Sequence, residues 1–153
     1  QMGYHLLWRF PERSVIPYCA AHGIAVITYA SLAHGILVGK LPRHPEFPAG
    51  DQRRIISLLR PEVWDKLYDP VEAMKAVAER SGRPLAHLAI RWLLHRSVVT
   101  AVLVSARNAE QAAANAQALD GDIDERVFAE LTAISDRAMP HVPDEGNPYG
   151  YHP

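Results

Sequence analysis

The 153-residue chain has few of the features that membrane or nucleic-acid-binding proteins need. Its longest apolar stretches, such as residues 24–29, are far shorter than the roughly 20 residues that a membrane helix requires. Sixteen Lys and Arg are balanced by seventeen Asp and Glu, so no broad basic face for nucleic acid is expected. The single cysteine, Cys19, excludes an intramolecular disulfide and a cysteine-based zinc site. It fits a reducing compartment, and we expect a cytoplasmic protein.

Common catalytic and metal-binding motifs are also missing. The eight histidines show no metal-ligand spacing and no His-Glu-x-x-His, so no metal site is predicted. Neither Gly-x-Gly-x-x-Gly nor a phosphate-loop lysine motif occurs, and Ser31 and Ser105 do not lie in a nucleophile elbow.

The length allows one domain and excludes a complete (β/α)8 barrel, which takes about 250 residues. Residue 1 is Gln rather than Met, so we expect the sequence to start inside a longer protein.

Strand-like and helix-like segments alternate along the chain. The patterns predict strands at 1–6, 24–29 and 98–104, the last two buried on both faces, and helices at 12–22, 70–81, 84–94 and 109–119. A last helix is predicted to be capped by residues 122–125 and carries an apolar stripe at Val127, Leu131 and Ile134. A long irregular segment covers 30–60, and a loop covers 140–153. Such alternation predicts an α/β fold with a parallel sheet. Three strands make a small sheet with two open edges, so the chain has the pattern of a piece of something larger.

Ligands of α/β folds bind beyond the carboxyl ends of the strands. After the third strand, Arg107 precedes a helix N-terminus, a combination suited to phosphate. Gln111 and Asn115 share one face of that helix and could hydrogen-bond an adenine edge. Alternatively, Gln111 forms a capping box with Asn108 and serves only to start the helix.

The turn after the second strand offers a second candidate contact. Tyr29 could present its ring to a flat heteroaromatic ligand, or it could simply close the end of the sheet with its hydroxyl in water. Small residues follow it, and Lys40 could reach a diphosphate.

Together these stretches resemble the aldo-keto reductase family. Residues 1–12 (QMGYHLLWRFPE) resemble its Gln-x-x-Tyr-Asn-x-x-x-Arg-x-x-Glu stretch, and residues 29–40 (YASLAHGILVGK) resemble its Tyr-Ser-Pro-Leu-Ala-x-Gly-x-Leu-x-Gly-Lys loop. Residues 50–53 (GDQR), 88–94 (LAIRWLL) and 104–115 are similar to three further family motifs in the same order.

The resemblance implies the C-terminal portion of a (β/α)8 barrel: about three parallel strands with helices, incomplete as a barrel. Residues 1–153 would form a partial aldo-keto reductase domain that ends in a tail at 140–153, near the barrel's mouth and its substrate. The missing N-terminal half of the barrel is then an expected partner.

The resemblance also implies NADP as cofactor and an aldehyde or ketone as substrate. Gln1 would hold the nicotinamide carboxamide, and Tyr29 would stack on its ring. The diphosphate would lie along the turn, and Arg53 would belong to a loop that closes over the cofactor. Ser105 and Arg107 would meet the 2′-phosphate, and Gln111 and Asn115 the adenosine. The residues implied at the diphosphate are Ala30, Ser31, Leu32, Ala33, His34 and Lys40.

The sequence departs from the family at several of these positions. Ala30 and Ser31 replace Ser-Pro, Ser105 replaces a glycine, and His5 stands where Asn is usual. The family's catalytic tetrad belongs to strands that precede Gln1, so no catalytic residue is expected in this chain. An alternative is a non-catalytic nucleotide-binding or assembly module, in which a half-barrel pairs with another polypeptide.

Overall fold

The computed structural model describes residues 1–146, which form a three-stranded parallel sheet flanked by helices. The strands, in spatial order, are β1 (Met2–Gly3), β2 (Val26–Tyr29) and β3 (Val99–Val102). The register pairs Met2 with Thr28, and Thr28 with Val102. The carboxyl ends of the three strands therefore meet at one edge, and the predicted parallel α/β architecture is confirmed.

Five α-helices occur in the described part of the chain. They are α1 (Val15–Ala21), α2 (Pro61–Arg80), α3 (Leu85–Leu94), α4 (Ala109–Ala116) and α5 (Glu125–Ala138). Short 3-10 helices fill several connections: Phe10–Arg13, Ala33–Val38, Gln52–Ile55, Ser57–Leu59, Gln117–Leu119 and Met139–His141. None of these helices is long and apolar enough to cross a membrane within residues 1–146.

The main core lies where α2, α3 and α5 pack together. Each helix carries apolar residues at helical spacing, and Met74, Leu88, Trp92 and Leu131 are buried almost completely. The indole Nε1 of Trp92 donates to the hydroxyl of Thr132 at 2.9 Å, which links α3 to α5. This helical layer supports the sheet from one side.

The second helix begins earlier than the sequence pattern predicts. Asp69 and Pro70 have the character of a helix start, yet Pro70 lies inside α2, which runs from Pro61. The prediction was wrong because two prolines compete for the first helical position, and the buried Trp64 and Leu67 extend the apolar stripe back to Pro61.

The strands are shorter than predicted, most of all β1. The chain turns immediately after Gly3, and His5 and Trp8 exchange backbone hydrogen bonds at 3.2 and 2.8 Å. The prediction of a strand over 1–6 was therefore wrong, because the apolar run belongs to a buried turn. The predicted first helix is likewise split into a 3-10 helix and α1.

Two predicted irregular segments contain local structure. The segment 30–60 holds three of the 3-10 helices, and the predicted tail loop begins inside the last one, Met139–His141. The rest of that tail, residues 147–153, lies outside the described residues.

The sheet is covered on one face only. Along β2, Val26 and Thr28 are buried, whereas Ile27 and Tyr29 are half-buried. On the flanks, Ile24 and Leu103 are 46% exposed. The prediction of strands buried on both faces was wrong for this chain, since residues 1–146 put no second layer over the other face.

Candidate functional site

A cleft of about 600 Å³ opens at the carboxyl edge of the sheet, between the loops that follow β2 and β3. Its lining comes from two short stretches, one in each loop. These residues are Ala30, Ser31, Leu32, His34, Gly35 and Val38 after β2, and Leu103, Val104, Ser105 and Arg107 after β3. The structure thus brings together six of the residues singled out in the sequence, from segments about 70 positions apart.

The loop after β2 is held in an unusual backbone conformation. Ala30, Ala33 and His34 have φ values of 53°, 49° and 56°, in the left-handed region that residues other than glycine rarely adopt. Each such residue costs roughly 1–2 kcal/mol. Strain of this kind persists only where surrounding contacts enforce it, and it concentrates at ligand sites.

Ser31 fixes this loop through its side chain. Its hydroxyl is buried, lies 3.1 Å from the hydroxyl of Thr28, and donates to the Thr28 carbonyl at 3.4 Å. Ala33 is also fully buried and is not among the residues that line the cleft. The Ser31 hydroxyl therefore ties the loop to β2.

The amide groups of α4 shape the loop after β3. Asn108 Oδ1 accepts from the Gln111 N–H at 2.9 Å, and Gln111 Oε1 accepts from the Arg107 N–H at 2.9 Å. Asn115 Nδ2 donates to the Ser105 carbonyl at 3.3 Å. The structure confirms that Asn108 caps α4, and these side chains hold the loop in place; the predicted contact of Gln111 and Asn115 with an adenosine stays a prediction.

Arg107 lines the cleft with an exposed guanidinium that forms no ion pair within the described residues. Its charge acts on Asp51: hydrogen bonds from Arg53, together with the smaller effect of the charges of Arg53 and Arg107, lower the pKa of Asp51 to about 2. A third segment, around Asp51, therefore approaches the mouth of the cleft.

Arg53 is held by its own loop. Its guanidinium binds the Asp51 carboxylate, with Nη2 to Oδ2 at 2.6 Å, and it lies over the Phe47 ring at 4.5 Å from the ring centroid. Arg53 therefore lies beside the cleft and is not among the residues that line it.

Three other singled-out residues lie outside the lining of the cleft. Gln1 is exposed ahead of β1, and Lys40 is exposed beyond Gly39. Tyr29 is half-buried, with its ring over Gly3: a Cβ added at Gly3 would lie 3.3 Å from the Tyr29 Cε2. The absence of a side chain at position 3 gives this ring its place across β1.

The side chains of the opening motif, residues 1–12, form a network of hydrogen bonds and ion pairs. Tyr4 Oη donates to Glu12 Oε1 at 2.6 Å, and Arg9 binds both Glu12 and Asp136 of α5. Burial, followed by this hydrogen bond, raises the pKa of Tyr4. The Tyr, Arg and Glu of the opening motif thus fasten the end of β1 to α5.

His5 and Asp51 are notable neighbours of the cleft that the sequence patterns did not single out as site residues. His5 is fully buried, and its Nδ1 accepts the Leu7 N–H at 3.2 Å. Burial, with a smaller contribution from His34, lowers its pKa to about 3. No spacing signal marks a lone buried histidine, so only three-dimensional packing reveals it.

A parallel α/β sheet with a cleft at its carboxyl edge, bordered by a helix N-terminus and an arginine, is typical of proteins that bind nucleotides. The model of the Aldo/keto reductase family matches residues 1–136. The chain belongs to this family, as its motifs indicated.

Similar proteins include the aldo-keto reductase YhdN of Bacillus subtilis, 30% identical over 72% of this chain and 34% of its own length. An NADH-specific methylglyoxal reductase of Escherichia coli is 28% identical over 90% of this chain and 42% of its length. A solved glycerol dehydrogenase of Gluconobacter oxydans superposes with a TM-score of 0.79 and 25% identity, covering 93% of this chain and 43% of that one. The chain therefore spans about two fifths or less of these relatives, and its fold is that of a partial barrel.

Proposed function

We propose that this chain forms the cofactor-binding part of an NADP-dependent oxidoreductase that reduces an aldehyde or ketone by hydride transfer. The observation that supports this most is the cleft shared by the loops after β2 and β3, with the unpaired Arg107 at its mouth. Family membership supports a nicotinamide cofactor and a carbonyl substrate.

The chemistry of the cleft suits a dinucleotide. Ser31 and Leu32 line the cleft, and their amide N–H groups have no backbone acceptor within the described chain. In this proposal they donate to phosphate oxygens. Arg107 supplies a planar cation that can bind phosphate with two hydrogen bonds. In this proposal, Arg107 and Ser105 hold the 2′-phosphate, and residues 30–34 line the diphosphate.

The remaining assignments are carried by the family resemblance. Gln1 would hold the nicotinamide carboxamide, Tyr29 would stack on its ring, and Lys40 and Arg53 would close on the diphosphate from outside. Gln111 and Asn115 would act on the adenosine indirectly, because their side chains already hold the loop after β3.

The cofactor supplies the hydride, and the proton must come from a donor beside the acceptor carbonyl. No residue of this chain matches a position of the family's tetrad, so we assign no catalytic acid to it. Completion by the N-terminal half of the barrel, and a cytoplasmic location, are parts of the same proposal. The alternative of a non-catalytic assembly module is not favoured, since reductases are among the similar proteins.

The test is calorimetric titration of the chain with NADPH and with NADH. Because one relative is described as NADH-specific, the choice between the two cofactors depends on this chain's own Arg107. We expect tighter binding of NADPH, and we expect Arg107→Ala to remove about tenfold or more of that preference, as loss of a charge-assisted hydrogen bond would.

Arg137→Ala is the matched control, because Arg137 is an exposed arginine of α5 that does not line the cleft. It should leave both affinities unchanged. Equal binding of the two cofactors by the parent chain, or a preference that survives Arg107→Ala, would refute the NADP assignment.

A further inference from the structure

A second cavity, of about 390 Å³, lies in a groove between α3 and α5 and shares no residue with the cleft. Its floor is aromatic, formed by Trp92 and Phe128. His95 stacks on Phe128 with ring centroids 4.8 Å apart and an interplanar angle of 25°. The walls carry two arginines, Arg96 and Arg126. We call this feature the α3–α5 groove.

Arg96 is the unusual residue of the groove. Its guanidinium lies 4.5 Å from the centroid of the Trp92 ring, and its Nε is buried without a hydrogen-bond partner among residues 1–146. A buried donor left without an acceptor is destabilising, and more so in a charged group. A ligand acceptor that replaced the groups covering this Nε would remove that penalty.

The carboxylate of Glu12 does not serve as the missing acceptor for Arg96. The charge of Arg96 helps to lower the pKa of Glu12, after the hydrogen bonds from Arg9 and Tyr4. Both Glu12 oxygens are engaged by those hydrogen bonds, from Tyr4 at 2.6 Å and from Arg9 at 2.7 and 2.9 Å. Glu12 is thus paired with Arg9 and gives Arg96 no hydrogen bond.

Arg126 adds a second cation at the start of α5. Its backbone N–H caps onto Asp124 at 2.9 Å, while its exposed side chain forms no ion pair in the described chain. Glu125 also borders the groove, so the two arginines and the one glutamate that line it sum to one positive charge. The groove therefore combines a flat apolar floor, a net positive charge and an unfilled donor.

We propose that the α3–α5 groove binds a small organic anion, a carboxylate or phosphate group attached to a flat apolar body. Arg96 binds the anionic oxygens, Arg126 adds charge from the rim, and the body packs on Phe128 and His95. This site is independent of the proposed cofactor cleft, so its success or failure leaves that proposal untouched.

The test is a two-dimensional NMR titration of the full chain with benzoate, phenyl phosphate and inorganic phosphate, at ionic strength held constant with sodium chloride. We expect saturable shifts of the backbone amides of residues 125–129 and of the Arg96 Nε–H signal. The two aromatic anions should bind more tightly than inorganic phosphate, because only they bury apolar surface.

Arg96→Gln and Arg126→Gln should each weaken this binding, by about tenfold for Arg96 and by less for the exposed Arg126. Arg137→Gln, on the same helix but away from the groove, should leave it unchanged. If Arg96→Gln disrupts packing on Trp92, Arg126→Gln still tests the site.

Shifts that fail to saturate would overturn the proposal, as would affinities that neither substitution changes. Inorganic phosphate binding as tightly as benzoate would overturn the apolar part of the assignment.

Discussion

At the scale of single residues, polar side chains beside the cleft hold its two loops in place. Ser31 ties the loop after β2 to Thr28, and Gln111 and Asn115 hold the loop after β3. Arg107 contributes an exposed cation to the lining. In our proposal, Arg107 and N–H donors of these loops recognise phosphate.

His5 should make the stability of the chain dependent on pH. Its folded pKa lies near 3 because it is fully buried, whereas in the unfolded chain it is hydrated and titrates at its ordinary value. The unfolded state therefore binds the extra proton, and stability is full above about pH 6.5 and falls as pH decreases toward the folded pKa. Between pH 6 and pH 4 we expect His5 to contribute a slope approaching about 1.4 kcal/mol per pH unit in the free energy of unfolding.

Urea denaturation of the parent chain and of His5→Asn across this range measures that slope. Asparagine can accept a hydrogen bond from the Leu7 N–H and carries no titrating group. The unfolding free energy of His5→Asn should therefore change less steeply with pH, by an amount equivalent to the uptake of about one proton. His44→Asn, at an exposed histidine, should keep the slope of the parent chain. Parallel curves for the parent and His5→Asn would contradict the buried neutral imidazole.

At the scale of elements, the sequence predicted the presence of helices more reliably than the residues at which they begin and end. Asn108 correctly marked the start of α4, and the stretch 122–125 contains the residue that caps α5, because a short polar side chain that accepts an N–H is a local signal. Pro70 gave a false start because tertiary burial of Trp64 extended α2 through it. The positive φ values at Ala30, Ala33 and His34 could not be predicted from the sequence, because glycine is the residue whose presence indicates that conformation.

Pro70→Ala should stabilise the chain. Within α2, Pro70 has no N–H to donate to the Lys66 carbonyl, and a proline inside a helix costs up to about 3 kcal/mol. We expect a gain of roughly 1 kcal/mol or more in the free energy of unfolding from urea denaturation. Pro61→Ala is the matched control: proline suits the first helical position, so this change should be neutral or slightly destabilising. Equal effects at the two prolines would show that α2 has already relaxed around Pro70.

The cap of α4 should control the loop that carries Arg107. No residue of α4 is buried, so its start depends largely on Asn108. Asn108→Ala should destabilise this helix by about 1 kcal/mol and speed hydrogen exchange of the amides at 111–115. Asn108→Asp retains the acceptor and should keep the parent exchange rates, while its negative charge beside Arg107 should weaken binding of NADPH. Unchanged exchange in Asn108→Ala would mean that the cap does not hold this segment.

At the scale of the whole molecule, the chain has the architecture of part of a barrel. It has three parallel strands, it covers about 43% of the solved glycerol dehydrogenase, and β1 and β3 each pair on one side only within residues 1–146. Residue patterns predicted this architecture well, because alternating strands and helices are a chain-wide signal. They could not predict which side chains line the cleft, since that depends on loop geometry.

The chain by itself should not reduce carbonyl compounds. It offers contacts for a cofactor, and the proton donor for the carbonyl is expected elsewhere. Incubation of purified chain with NADPH and an aldehyde such as methylglyoxal, followed by absorbance at the nicotinamide band, should give no turnover above the protein-free background. Turnover that scales with chain concentration would contradict this division of roles.

The most direct measurement is a crystal structure of the chain soaked with 2′,5′-ADP, which carries the adenosine 2′-phosphate without the nicotinamide. Our account predicts the nucleotide between the loops after β2 and β3, with its 2′-phosphate on the guanidinium of Arg107. Nucleotide bound elsewhere on the molecule, or a filled cleft with Arg107 turned away from the phosphate, would contradict it.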